Sequence, residues 1–188
     1  MPEANPGSTD LYLSFAGLFH RPDPDYVNHF EEVLTLWEEE IPAASVLVHG
    51  LRTLCRKYPP GDTRINFFWE HYIPLFETGK VEAPPYASVY LGDDGLVMGR
   101  ETFAVQTFYT SAGYAIGTAN QEIPDHLAVE LEFAAVLSQE SQNELLVEFR
   151  QKHLLPFLRL ILPRIAQSPR PLFPDAAQVL AIWQLPSN

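Results

Sequence analysis

The spacing of the large apolar residues constrains this chain more than any other feature. In segment 22–40, Val27, Phe30, Leu34 and Trp37 recur every three or four residues, which places them on one face of an α-helix. Comparable spacing is found in segments 11–19, 43–58, 62–77, 100–117, 124–137, 143–165 and 174–185. We find no series of alternating apolar and polar residues that would indicate strands. The sequence therefore predicts an all-α fold.

Polar residues and prolines mark the ends of several of these helices. One of the polar residues 8–10 can cap the first helix, and Asp62 is a candidate cap further along, because such side chains accept hydrogen bonds from the first free amides of a helix. Pro156 and Pro163 lie inside segment 143–165. Proline lacks an amide proton and clashes with the preceding turn, so we expect this segment to be kinked or divided.

The length of 188 residues favours a single domain. We expect residues 1–8 to form a flexible tail and residues 9–188 to form one helical domain. Segment 78–99 contains two adjacent prolines and four glycines, and it predicts a long irregular loop that acts as a hinge between two helical halves. Within it, the short run ASVYL at 87–91 has β-like composition.

The charge of the chain limits its partners. There are 24 Asp and Glu residues against 12 Lys and Arg, a formal net charge of −12. Nucleic acids and anionic membrane surfaces are polyanions, so we expect neither as a partner. A basic partner is the natural complement, although a strongly negative surface also serves solubility alone.

The single cysteine and the absence of long apolar runs favour a soluble, cytoplasmic protein. Cys55 excludes an internal disulfide and a cysteine-rich zinc site, and its apolar surroundings predict a core residue. The first ten residues lack the basic and apolar regions of a signal peptide. No segment approaches the ~20 apolar residues of a membrane span, so no membrane insertion is expected.

The stretch EIPDHLAVELEF, from Glu122 to Phe133, is the most unusual part of the sequence. Pro124 predicts the start of a helix, with Asp125 and His126 in its first turn. Their side chains would point about 100° apart, so they cannot form the hydrogen bond of a catalytic triad. Three interpretations stay open: a metal site that includes Glu130, a cap by Asp125 beside a buried histidine, or a polar contact with a partner.

Five segments of the chain carry a family resemblance. They are EHYIPLF, PPYASVYLGDDGLVMG, FYTSAG, EIPDHLAVELEF and FRQKHLLPFL, which together run from about Glu70 to Leu158. The residue types in these segments, and the order of the segments along the chain, resemble those of the TorD/DmsD/NarJ family of redox-enzyme maturation chaperones. The most specific element is the Pro-Asp-His triplet with the helix that follows it, and segment Glu70–Phe76 is the second. Ala134 departs from the family pattern, in which methionine is frequent at that position.

The resemblance implies an all-helical cytoplasmic chaperone that is not an enzyme and needs no cofactor or metal. Its partner would be the precursor of a molybdoenzyme catalytic subunit. It would bind the twin-arginine signal peptide or the body of that precursor until the molybdenum cofactor is inserted, and only then permit export. Family members occur as monomers and as homodimers formed by domain swapping.

The resemblance also implies which residues recognise the leader. The positions that match the family's recognition residues are Tyr72, Leu75, Phe76, Pro124, Asp125 and His126. From the residue types themselves, Glu122 and Asp125 can pair with arginines. A groove can take the apolar run of the leader as a helix, and it is expected near Tyr72, Leu75, Phe76, Tyr86 and Tyr90. Two alternatives remain: a metal-dependent hydrolase that uses Asp125, His126 and Glu130, and an adaptor domain for another basic protein.

Overall fold

A computed structural model describes residues 8–93, 95–117 and 122–185. Across these ranges the regular structure is helical and contains no strand; one isolated antiparallel bridge joins Tyr86 and His126. The all-α prediction is therefore confirmed. The flexible tail predicted for residues 1–8 lies outside the described residues except for Ser8, whose hydroxyl accepts from the amide of Leu11 at 3.2 Å.

Successive helices fill most of the described chain. They are α1 (Thr9–Phe19), α2 (Pro24–Asn28), α3 (Phe30–Glu40), α4 (Ser45–Cys55), α5 (Asp62–Phe76), α6 (Ala87–Leu91), α7 (Arg100–Ser111), α8 (Leu127–Gln139), α9 (Asn143–Phe149), α10 (Leu155–Ala166) and α11 (Phe173–Gln184). A 3₁₀ turn, Pro42–Ala44, precedes α4, and a π-helical turn, Arg150–Leu154, precedes α10. None of the described helices is both long enough and apolar enough to cross a membrane.

The described chain divides into two compact units. Unit 1 comprises residues 8–19 and 85–157, and unit 2 comprises residues 20–84 and 158–185. The chain passes from unit 2 to unit 1 between Pro84 and Pro85, within segment 78–99, and returns inside α10.

The core of unit 1 is built around the contact between α1 and α8. Helix α1 contributes Tyr12, Phe15 and Phe19, each with no exposed side-chain surface. Helix α8 buries most of its length, including Leu127, Leu131 and Ala134. A helix that is apolar on nearly all sides is buried on nearly all sides, so α8 is the central element of this unit.

The core of unit 2 confirms the apolar face predicted for segment 22–40. Val27, Phe30, Leu34 and Trp37 are all fully buried. The Phe30 ring meets the Trp37 ring edge-on, with 5.8 Å between centroids. The segment nevertheless forms two helices, because His29 leaves helical geometry (φ −95°, ψ 12°) between α2 and α3.

Cys55 is buried in unit 2, as its apolar surroundings predict. Burial raises the pKa of its thiol to about 11, so the thiol stays protonated at neutral pH. A buried, protonated thiol packs as a small apolar side chain and is a poor nucleophile.

The division expected at Pro156 is confirmed. The helical run from Asn143 is interrupted by the π-helical turn Arg150–Leu154, and Pro156 is the second residue of α10. Because proline has no amide proton for the preceding turn and its ring crowds the carbonyl there, a wider turn at this point removes the conflict. Pro163, by contrast, lies inside α10.

Asp62 is the first residue of α5 and not its cap, which is Gly61. Two further local predictions are wrong. The run 87–91 forms helix α6 and not an extended segment. Helix α8 begins at Leu127 and not at Pro124, with His126 as its N-cap. Both errors have one cause, which is a set of hydrogen bonds between residues 85–88 and 125–127 that local sequence does not encode.

Candidate functional site

Two distant stretches of unit 1 meet at the start of α8. The Leu127 amide donates to the Pro85 carbonyl at 2.8 Å, and the Ala87 amide donates to the Asp125 carbonyl at 2.9 Å. These two bonds form the isolated bridge between Tyr86 and His126. The bridge fixes where α6 and α8 begin relative to each other. It brings together five of the predicted site residues, which we call the bridge cluster: Tyr86, Glu122, Pro124, Asp125 and His126.

Asp125 is the buried anchor of this cluster. Its side chain is fully buried, and Oδ2 accepts from the Ser88 amide at 2.8 Å. Ser88 is the second residue of α6, so its amide has no partner within that helix. Asp125 thus accepts from the start of α6 and does not cap its own helix, contrary to one interpretation of the sequence. This contact explains why a β-like run becomes helical.

His126 is the cap of α8. Its ring Nδ1 accepts from the Ala128 amide at 3.2 Å, and 1% of the residue is exposed. A nitrogen that accepts carries no proton, so this contact requires Nδ1 to be deprotonated and leaves the ring proton on Nε2. The Tyr86 ring meets the imidazole edge-on, with 5.2 Å between ring centroids.

The accessible part of the cluster is formed by Tyr86, Glu122 and Pro124, which are all half-buried. The Tyr86 hydroxyl donates to Glu122 Oε2 at 3.4 Å, and the Tyr109 hydroxyl donates to the Pro124 carbonyl at 3.0 Å. A phenol beside a carboxylate can accept a basic or hydrogen-bonding group from outside. Asp125 and His126 are buried, and their hydrogen bonds stabilise the backbone segments that carry Tyr86, Glu122 and Pro124.

Glu130 is a buried acid with no hydrogen-bond partner on either carboxylate oxygen. Burial raises the pKa of Glu130 well above its ordinary value, and the nearby charges of Asp125 and Glu101 raise it further. An unpaired carboxylate in an apolar environment favours its neutral form. Burial therefore shifts Glu130 towards its protonated form in the folded chain.

Two donor atoms that the hydrolase alternative would use are already occupied. His126 Nδ1 is occupied by the Ala128 amide, and Asp125 Oδ2 is occupied by the Ser88 amide. In the ranges that the structure describes, no three His, Cys, Asp or Glu side chains are grouped as metal ligands. The geometry does not support the interpretation of Asp125, His126 and Glu130 as a metal cluster.

The other predicted recognition residues belong to unit 2. Tyr72, Leu75 and Phe76 lie in the last turns of α5 and are 2%, 0% and 4% exposed. The Tyr72 and Phe76 rings are 5.0 Å apart, and the Phe76 ring meets Phe173 edge-on at 5.2 Å. These side chains form an aromatic cluster in the core of unit 2.

A groove that sequence reasoning missed lies in unit 1 on α8, and we call it the α8 groove. It has a volume of about 180 Å³, and its lining consists of Tyr109, Tyr114, Ala115, Ile116, Gly117, Val129, Glu132, Phe133 and Val136. Phe133 lies between two tyrosine rings, with centroids 4.2 Å from Tyr109 and 5.5 Å from Tyr114. The spacing of Val129, Phe133 and Val136 along one helical face was the sequence signal for this groove, but it is equally typical of core.

A protein-family model described as the nitrate reductase delta subunit matches residues 49–162, which is more than half of the chain. The chain belongs to this family. Its membership confirms the resemblance to the TorD/DmsD/NarJ proteins. The matched range includes both groups of predicted recognition residues, the aromatic cluster on α5 and the bridge cluster at the start of α8.

Relatives within the family have known names. The chain is 29% identical over 122 residues to the probable Tat proofreading chaperone DmsD of Haemophilus influenzae, a match that covers 62% of this chain and 60% of that protein. It is 31% identical over 106 residues to the chaperone protein TorD of Vibrio parahaemolyticus, covering 55% of this chain and 48% of that protein. The matches thus span about half to three fifths of these relatives.

A solved structure shows the same fold. The crystal structure of a protein assigned to redox enzyme maturation in Archaeoglobus fulgidus aligns with a TM-score of 0.63 and 21% sequence identity. The alignment covers 95% of this chain and 92% of that one. The helical arrangement is therefore shared along almost the full length of both chains.

Proposed function

We propose that this protein is a chaperone for the precursor of a molybdenum-cofactor oxidoreductase. It binds the twin-arginine leader of that precursor, or its body, in the cytoplasm and holds it until the cofactor is inserted. The observation that carries the proposal is the family match over residues 49–162, together with relatives that are named as chaperones, one of them a Tat proofreading chaperone.

The charge of the chain supports a basic client segment. With a net charge of −12, the surface attracts a peptide that carries two adjacent arginines, and carboxylates bind guanidinium groups through strong paired hydrogen bonds. At the bridge cluster, Tyr86 and Glu122 are the residues that contact the leader. Asp125, His126 and Pro124 are positioning residues there, because the first two are buried and already hydrogen-bonded.

Tyr72, Leu75 and Phe76 act indirectly in leader binding. Their side chains are packed in the core of unit 2, so they shape the surface above them and do not form an open groove.

The hinge proposed for segment 78–99 contains the passage from unit 2 to unit 1. Exchange of units between two chains at that hinge would give a domain-swapped homodimer, which sedimentation velocity would detect as a doubled mass.

Peptide titration tests the proposal. The probes are synthetic leader peptides of the molybdenum-cofactor oxidoreductases encoded in the same genome, titrated into the full chain by calorimetry. We expect at least one leader to bind with a Kd in the micromolar range, on the order of −8 kcal/mol, and its twin-lysine version to bind more weakly. If no leader binds and no precursor copurifies with the chain when both are expressed together, the proposal is wrong.

A further inference from the structure

The α8 groove has the size of a pocket for one large apolar side chain. Its volume of about 180 Å³ is close to that of an apolar cavity of about 150 Å³, which binds a benzene ring. Its walls are formed by the rings of Tyr109, Tyr114 and Phe133 and by the aliphatic side chains of Val129 and Val136. Aromatic and aliphatic walls with few polar groups are typical of pockets that bind an apolar group.

The polar groups of the groove are acidic. Glu132 is half-buried and belongs to the lining, and the Tyr114 hydroxyl donates to the exposed carboxylate of Glu140. Among the described residues that line the groove, none is Lys, Arg or His. An apolar pocket with carboxylates beside it is complementary to an apolar side chain that lies next to a positively charged one.

A peptide with arginines next to an apolar run has this combination of groups. Lipids and a second copy of this chain do not match it as well, because lipid phosphates are anionic and a second copy carries the same charge of −12. The charge of the groove therefore favours a basic-apolar peptide as its occupant.

We propose that the α8 groove binds one large apolar side chain of the client leader, while an arginine of the same peptide pairs with Glu132. This assignment rests on the proposed chaperone function. It adds a binding site whose lining residues differ from those of the bridge cluster and of the aromatic cluster on α5. Binding of the apolar side chain buries it against Phe133, and a guanidinium on Glu132 forms a charge-assisted hydrogen bond.

Two charge variants test the role of Glu132. Glu132→Lys reverses the charge in the groove, and Glu144→Lys makes the same change at an exposed position of α9 outside the groove. With a fluorescein-labelled leader peptide that binds the native chain, we expect Glu132→Lys to raise the Kd about ten-fold or more, which is the effect of losing a charge-assisted bond. Glu144→Lys controls for the overall change in charge and should raise the Kd much less.

Two size variants test the pocket itself. Val136→Trp fills the groove and should weaken binding of the same peptide, whereas Val46→Trp adds the same ring at a position that is 83% exposed in unit 2 and should not. Circular dichroism and melting curves establish that each variant is folded. If Val136→Trp does not fold, the pocket is tested on the native chain by a peptide whose large apolar residue is replaced by a photoreactive phenylalanine analogue. We expect its cross-links to map to residues 114–117 or 129–136.

The results separate the two proposals. If the native chain binds no leader, the chaperone function fails first. If it binds a leader, but Glu132→Lys and Val136→Trp bind like their controls, the function stands and the groove assignment is wrong. Cross-links that map only to other parts of the chain, or only between two copies of it, also overturn the assignment.

Discussion

Asp125 is a buried carboxylate whose described partner is a backbone amide. Its Oδ2 accepts from Ser88, and the same residue's carbonyl accepts from Ala87. Such a side chain acts on a ligand only through the structure that it supports. Its neighbour His126 also acts indirectly, because its accepting nitrogen is bonded to an amide in the first turn of α8. The Asp125–His126 pair therefore stabilises the starts of α6 and α8.

Replacing Asp125 should therefore affect stability in a way that depends on the replacement. Asp125→Ala removes the acceptor for a buried amide, and we expect a loss of about 1–3 kcal/mol in the free energy of unfolding. Asp125→Asn keeps a side-chain oxygen and removes the charge, so it should lose much less. Urea denaturation of both variants measures the difference. Equal losses would show that the charge, and not the acceptor, is what stabilises this site.

Glu130 should make the stability of the fold fall as the pH rises. Its raised pKa means that the folded chain keeps a proton that the unfolded chain releases above its ordinary pKa of about 4.5. The neutral form of Glu130 is the one that the fold favours. Its contribution to the free energy of unfolding is therefore complete below the ordinary pKa and is lost as the pH rises through the pKa of the folded chain. The charges of Asp125 and Glu101 act in the same direction.

A single variant isolates this effect. Glu130→Gln has nearly the same shape and no charge, so we expect it to melt at a higher temperature than the native chain at pH 8 and by a smaller margin at pH 5. Melting curves of both proteins across this range measure the margin. A margin that does not change with pH would mean that Glu130 is ionised in the folded chain throughout.

At the scale of elements, the helices of unit 2 are joined by a buried arginine. Arg64 of α5 is 2% exposed. Its Nε donates to the Tyr58 carbonyl at 2.8 Å and its Nη2 to the Cys55 carbonyl at 3.4 Å, close to the end of α4. The same Nη2 lies 3.3 Å from Glu31 Oε1 of α3. One side chain thus connects three helices and donates to two carbonyls just at and beyond the end of α4, of which that of Cys55 also accepts from the Tyr58 amide at 2.9 Å.

Arg52 provides a matched comparison for Arg64. It also pairs with Glu31, at 3.5 Å, but its side chain is 19% exposed and bonds no carbonyl at a helix end that the structure records. We expect Arg64→Ala to cost about 1–3 kcal/mol, because it removes the recorded donor to the Tyr58 carbonyl and one of two donors to the Cys55 carbonyl. Arg52→Ala should cost about 0–1 kcal/mol, as for a surface ion pair. With roughly 2–4 °C per kcal/mol for a chain of this size, melting curves distinguish the two, and equal shifts would contradict the capping role.

At the scale of the whole molecule, the excess of acids governs how a basic client would approach. A net charge of −12 attracts a basic peptide before any specific contact forms. The buried apolar surface of the two cores does not contribute to that attraction, because it is already occupied. Long-range attraction and short-range apolar contact can therefore be separated by changing the salt concentration alone.

Leader binding should weaken as salt is added. The Debye length falls from roughly 10 Å at about 0.1 M salt to roughly 3 Å at about 1 M, so pairs between arginines and exposed carboxylates are screened. Calorimetric titration of a binding leader at both concentrations measures the change. A leader whose two arginines are replaced by glutamine is the control and should show little salt dependence. An unchanged Kd for the native leader would mean that apolar contact alone provides the affinity.

Most of the helical segments, and the faces that they bury, follow from the sequence alone. Val27, Phe30, Leu34 and Trp37 illustrate this, because a period of three to four residues is a local property and burial follows from it. The sequence also determined the net charge and, through five ordered segments, the family.

The roles of the unusual residues depend on contacts that form only in the folded chain. The helical state of 87–91 and the buried acceptor at Asp125 depend on hydrogen bonds between residues 37 or more positions apart. The α8 groove likewise needs residues 109–117 to pack against Phe133. Local pattern cannot specify such pairs, since the same residue types at the same spacing form cores, caps and grooves, and only the packing of the folded chain selects among them.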